Sequence, residues 1–148
     1  MRFEGSLLLP RTIADVWPLL SDCRWLIQRL PDRTSESLLA EDHAKAVIRP
    51  GFSFVRGTLD VELRRRMSEP QSELEYVAAS RSVGTRAELT TRMHLNAEDD
   101  ATRMEWSVEI TELGGLLKAV PSGLIRAAAQ KAIDDVLANV RGQSSRSA

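Results

Sequence analysis

A chain of 148 residues with twenty basic and twenty-one acidic side chains, net charge −1, has room for one domain with a substantial core, and no break in composition asks for a second. That balance excludes nucleic acid as a partner, because phosphates call for a basic surplus. Cys23 is the only cysteine, which excludes an intrachain disulfide and a multi-cysteine metal site and fits a reducing, cytoplasmic setting; the opening MRFEGSLLLPRT has no apolar run long enough for a signal peptide or a membrane span.

Residues 2–9 alternate, with Phe3, Gly5, Leu7 and Leu9 on one side and Arg2, Glu4 and Ser6 on the other, the period of a half-buried strand that Pro10 stops. Thr12 with Asp15 has the form of a helix N-cap with an acid in the first turn, and Ile13, Val16, Trp17 and Leu20 follow at helical spacing, although Pro18 should kink or shorten this helix. Ser21-Asp22 can cap a second short helix carrying Trp25, Leu26, Ile27 and Leu30 up to Pro31.

From Asp32 the pattern turns to strands, about 34–40, 44–49, 53–67, 72–83, 85–97 and 102–112, separated by turn chemistry at Glu41-Asp42, Pro50-Gly51, Glu69-Pro70, Gly84 and Ala97 to Ala101. Short connections imply antiparallel neighbours. Alternation is plain in Val55, Gly57, Leu59, Val61 and Leu63, in Ala87, Leu89, Thr91, Met93 and Leu95, and in Met104, Trp106, Val108 and Ile110. The opposite faces carry Arg86, Glu88, Arg92 and His94, or Arg103, Glu105 and Glu109, so one face is wet and the other covered.

The cover is the last helix, which runs from Leu116 to Arg141 and is clearest from Gly123 to Val140, a stretch about 27 Å long. Gly114-Gly115 permits a sharp entry, and Pro121-Ser122-Gly123 should break the first turns so that the ordered helix restarts near Ser122. Ile125, Ala129, Ala132, Val136 and Val140 share one sector, flanked by Ala128, Ile133 and Leu137, while Gln130, Lys131, Asp134, Asp135 and Ala138 point away. The predicted fold is α+β of helix-grip type: a seven-stranded curved antiparallel sheet around a long C-terminal helix, with two short helices after strand 1. Residues 1–142 make the domain and 143–148 a polar tail.

Chemistry has little material. The two histidines, His43 in a turn and His94 in phase with Arg92, read as exposed, and nothing in their spacing demands a metal. Arg64-Arg65-Arg66 reads as a solvated strand end balanced by Glu62 and Glu69, Cys23 as a packing thiol, and no glycine-rich phosphate loop occurs. No catalytic residue, metal or cofactor is assigned.

A binding site has more. The inward faces hold Leu59, Val61, Tyr76, Leu89, Thr91, Met93, Trp106 and Val108, opposite Ile125, Ala128, Ala129 and Ala132 of the helix. Such a lining suits an apolar pocket in which the tips of Tyr76, Ser80, Thr91 and Trp106 orient a ligand. The same lining also suits plain core packing, since burial patterns do not reveal voids.

Phe3-Glu4-Gly5-Ser6, Val16-Trp17-Pro18-Leu19-Leu20-Ser21-Asp22, Leu30-Pro31, Val55-Arg56-Gly57, Thr102-Arg103-Met104 and the ending from Gly114-Gly115 to Asn139 resemble the carbon monoxide dehydrogenase G-subunit family, within the START-like, polyketide-cyclase-like helix-grip superfamily. The resemblance implies a deep apolar cavity between sheet and long helix, closed by the two short helices. It implies a lipid, quinone or other hydrophobic ligand, and a molybdenum-containing dehydrogenase as the oxidoreductase partner. Relatives on this fold that are cyclases or dehydratases keep an enzymatic alternative, and an assembly factor working by surface contact is a third. Two departures stand out: Pro18 replaces a plain helix former, and Asp32 replaces the glycine after the Leu-Pro step. The short polar tail lacks the apolar extension of some members, so membrane contact is expected to be peripheral at most.

Overall fold

The computed structural model describes residues 1–52, 54–55 and 57–145. Strand β1 (Arg2–Leu9) is followed by helices α1 (Ile13–Leu20) and α2 (Cys23–Ile27). Strands β2 (Arg33–Leu39), β3 (His43–Ile48), β4 (Leu59–Glu69), β5 (Glu73–Ser82), β6 (Thr85–Glu98) and β7 (Ala101–Gly115) come next, then a short 3-10 helix (Leu116–Ala119) and helix α3 (Ser122–Ser144). The seven strands form one curved antiparallel sheet in the order β1-β7-β6-β5-β4-β3-β2, a helix-grip arrangement with α3 on its inner face.

That order explains where the short helices sit. β1 and β2 lie at opposite edges of the sheet, so the chain between them must cross its open side, and α1 and α2 make the crossing. α2 packs on β3 and β4 over the buried Ala44 and Ala46, and α1 meets β6 and β7. Asp22 caps α2 by accepting from the Arg24 backbone N–H at 2.9 Å. Thr12 is extended at the N-cap of α1 but makes no side-chain cap bond, contrary to expectation; its carbonyl starts the helix by accepting from Val16 at 3.1 Å. Pro18 acts by shortening: α1 stops two residues later at Leu20.

The strand expected from residue 53 starts at Leu59. Ser53 and Arg56 lie outside the described residues, while Phe54, Val55, Gly57 and Thr58 are turn or irregular, and Gly57 has φ +76°, which no strand residue takes. α3 restarts at Ser122 as the Pro-Ser-Gly step implied, but it continues to Ser144. Of the expected tail, Gln143 and Ser144 belong to its last turn, Ser144 being buried with its carbonyl accepting from Arg11 at 3.2 Å; Arg146, Ser147 and Ala148 lie outside the described residues.

The outer sheet face is paired charge. Glu75 is held between Arg66 (2.5 Å) and Arg92 (2.6 Å), hydrogen bonds that keep its carboxyl below the usual carboxylate range. His43 meets Glu62 at 2.6 Å and His94 meets Glu73 at 3.1 Å on the same face. On the outward side of α3, Gln130 bonds Asp134 and Lys131 bonds Asp135, one turn apart.

Candidate functional site

The side chains of the inner face come from neighbouring strands in registered rows. Leu63, Ala78 and Leu89 stand side by side on β4, β5 and β6; Tyr76, Thr91 and Val108 make the next row on β5, β6 and β7; Met93 and Trp106 make a third, with Gly5 of β1 beside Trp106. Val61 and Met104 extend this floor. The roof is Ala132, Ile133, Val136, Leu137 and Val140 of α3, and Leu20, Leu26, Ile27 and Leu30 of the α1–α2 crossing close one end. Between floor and roof lies a cavity of about 230 Å³ whose described lining contains no charged side chain.

Eight of the residues assigned to a pocket from the sequence line it: Val61, Tyr76, Leu89, Thr91, Met93, Trp106, Val108 and Ala132. Four do not. Leu59 and Ile125 are buried elsewhere, and Ala128 and Ala129 sit half-buried on the first half of α3. That half of the helix reaches β1, where Arg126 covers the Phe3 ring at 5.2 Å, and its small side chains do not border the cavity. The space opens one turn further on, under the larger Val136, Leu137 and Val140, where α1 and α2 stand between the helix and the far edge of the sheet.

Sequence reasoning missed the crossing residues Leu20, Leu26, Ile27 and Leu30, whose helical spacing showed an apolar face but not its target. It also missed Arg65. Arg65 shares the inward phase of Val61 and Leu63, and its guanidinium, about one-fifth exposed, donates to the Ser21 carbonyl at 2.5 Å and reaches Glu41 at 3.4 Å. Arg64 and Arg66 are exposed, as expected of that run. Tyr76, opposite Arg65 on β5, donates its hydroxyl to the Leu20 carbonyl at 2.6 Å. Two side chains of the sheet thus satisfy successive carbonyls at the end of α1, which have no partner within the helix, and Arg65 adds a favourable charge there.

The polar tips differ from the expected set. The Tyr76 hydroxyl is engaged by Leu20, and its burial pushes its ionisation above the ordinary phenol range. Thr91 Oγ1 donates to the Ser107 carbonyl at 2.9 Å, and Ser80 does not line the cavity. Burial pushes the Cys23 thiol up to about 11, so at neutral pH it is a packing group. Trp106 Nε1 is buried without a hydrogen-bond partner among the described residues. Among the described residues, no three His, Cys, Asp or Glu side chains stand close enough to hold a metal, and no imidazole or carboxylate lines the cavity. A second depression, of about 540 Å³ on the outer face, is bordered by Gly5, Met93 and Trp106 and by Arg2, Glu4, Glu73, Arg92 and His94, charged groups that are paired with one another or with Glu75.

A curved antiparallel sheet gripping a C-terminal helix over an apolar cavity defines a START-like helix-grip fold. The chain belongs to the carbon monoxide dehydrogenase G-subunit (CoxG) family, whose model matches residues 5–145. Among solved structures, a conserved protein from Geobacillus kaustophilus superposes with a TM-score of 0.84 at 20% identity, over 99% of this chain and 96% of that one. A START superfamily protein from Mycobacterium smegmatis gives 0.69 at 10% identity, over 98% and 97%. An aromatase/cyclase from a Streptomyces species gives 0.69 at 14% identity, over 99% and 94%. At such identities these likenesses concern the fold. No curated protein sequence matches the chain. No described helix is long and apolar enough to cross a membrane.

Proposed function

We propose that this protein is a non-enzymatic carrier that holds an apolar small molecule, of lipid or quinone type, in the cavity beneath α3, and that it serves a molybdenum-containing dehydrogenase. The observation that carries the reading is the lining: nearly all carbon, with both of its hydroxyls turned to backbone carbonyls. Acid–base catalysis needs a titratable group within reach of the guest, and His43 and His94 are both on the other face of the sheet, bonded to glutamates. The family name supports the dehydrogenase connection. At about 230 Å³ the cavity is below the usual range of drug-sized sites, roughly 300–1,000 Å³, so a guest of this kind enters with one ring or one stretch of chain.

Ala132 is the small residue of the roof, and Ala132→Trp places an indole in the cavity. The expected result is loss of at least about tenfold in affinity for an environment-sensitive naphthylamine dye, with cooperative unfolding retained at a cost of about 1–3 kcal/mol for overpacking. Unchanged binding in a folded Ala132→Trp protein would place the site elsewhere.

A further inference from the structure

Trp106 presents an unusual polar group. Less than 1 Å² of its Nε1 is accessible and it has no hydrogen-bond partner among the described residues, so an indole N–H is buried unpaired there. Gly5 makes this possible. It faces Trp106 across the β1–β7 pairing, and a Cβ built there would lie 2.7 Å from Cζ2 and 3.2 Å from Nε1. The indole is therefore folded back on β1 at a position with no side chain to stop it, while its other side borders the cavity. A buried donor without a partner is unfavourable, and the conformation is one that an incoming acceptor relieves.

The remaining inventory gives this donor its meaning. Tyr76 and Thr91, the lining residues with hydroxyls, both donate to backbone carbonyls, and no cation is among the described lining residues. We infer that the guest is uncharged and carries one acceptor oxygen, a carbonyl or ether, which takes the Trp106 N–H as the indole swings away from Gly5. An ionised carboxylate drawn in as far as Trp106 would be desolvated with no partner of opposite charge among the described lining residues, so the group that meets the indole is neutral. The inference rests on the carrier reading above and narrows it to a chemical class.

The test uses three probes of equal carbon number, methyl heptyl ketone, nonane and nonanoate, each measured by displacement of the naphthylamine dye. The Trp106 indole N–H resonance, assigned by its absence in Trp106→Phe, is followed in the same titrations. The ketone is expected to shift that resonance downfield and to bind Trp106→Phe about three- to tenfold more weakly than the unmodified protein. Nonane should bind both proteins alike without a downfield shift, and nonanoate at neutral pH should bind at least about tenfold more weakly than the ketone. Equal shifts from ketone and alkane, an unchanged ketone affinity in Trp106→Phe, or nonanoate binding as tightly as the ketone would overturn the inference while leaving the carrier reading intact. If none of the three displaces the dye, the carrier reading fails and takes this one with it. Should Trp106→Phe not fold, the remaining indole signals are assigned from Trp17→Phe and Trp25→Phe, and the shift comparison decides alone.

Discussion

A tyrosine on the wall of an apolar cavity invites the reading of a ligand contact, yet the hydroxyl of Tyr76 holds down the end of α1 through the Leu20 carbonyl, next to the bond from Arg65 to Ser21. Its role is to fix the crossing helices that close the cavity. Tyr76→Phe removes the donor and leaves a buried carbonyl unpaired, so a loss of about 1–2 kcal/mol in unfolding free energy is expected, read as a lower urea midpoint, with dye affinity reduced less than in Ala132→Trp. A midpoint equal to that of the unmodified protein would show that Arg65 alone suffices. These engagements were not legible in the sequence. Alternation placed Tyr76 and Thr91 on the inner face correctly, but which backbone carbonyl each hydroxyl reaches depends on how α1 and the neighbouring strand lie. Arg65 was legible in principle, since it continues the phase of Val61 and Leu63, and its place in a basic run hid it.

The elements were largely readable because most carry an undisturbed period: two for the three long alternating strands, about 3.6 for α3. Failures cluster where backbone conformation overrides pattern. Val55 and Gly57 alternate with Leu59, but Gly57 adopts φ +76° and the strand begins after it. Asp32 is the opposite case. It takes φ 61°, the left-handed conformation that glycine adopts freely and aspartate tolerates. Its carbonyl accepts from the Arg49 N–H at 2.9 Å, which ties the turn from α2 into β2 to the end of β3. Asp32→Val, with a branched side chain at positive φ, is expected to cost about 1–2 kcal/mol, and Asp32→Gly none. Equal midpoints for the two variants would show that the turn relaxes to another conformation. The grading of α3 was visible as composition and misleading as geometry: Ala128 and Ala129 do not border the cavity, which lies under Ala132, Ile133, Val136, Leu137 and Val140.

For the molecule as a whole, the sheet order makes a cavity here a consequence of topology. A seven-stranded sheet with β1 at one edge and β2 at the other obliges the chain to bridge them with α1 and α2, which pack on the sheet themselves, and α3 lies beside this bridge over the same inner face. Neither α3 nor the sheet can approach the other fully while the crossing helices are clamped by Tyr76 and Arg65. The sequence alone left open whether that space is filled, because inward-facing leucines and valines look the same around a core and around a pocket. The direct measurement is native mass spectrometry of the purified protein before and after organic extraction, alongside Ala132→Trp. The expected result is an extractable, uncharged apolar adduct on the unmodified protein that is absent from the variant; an adduct retained in full by a folded Ala132→Trp protein, or no uptake when extracted protein is offered lipid, would contradict a carrier site beneath α3.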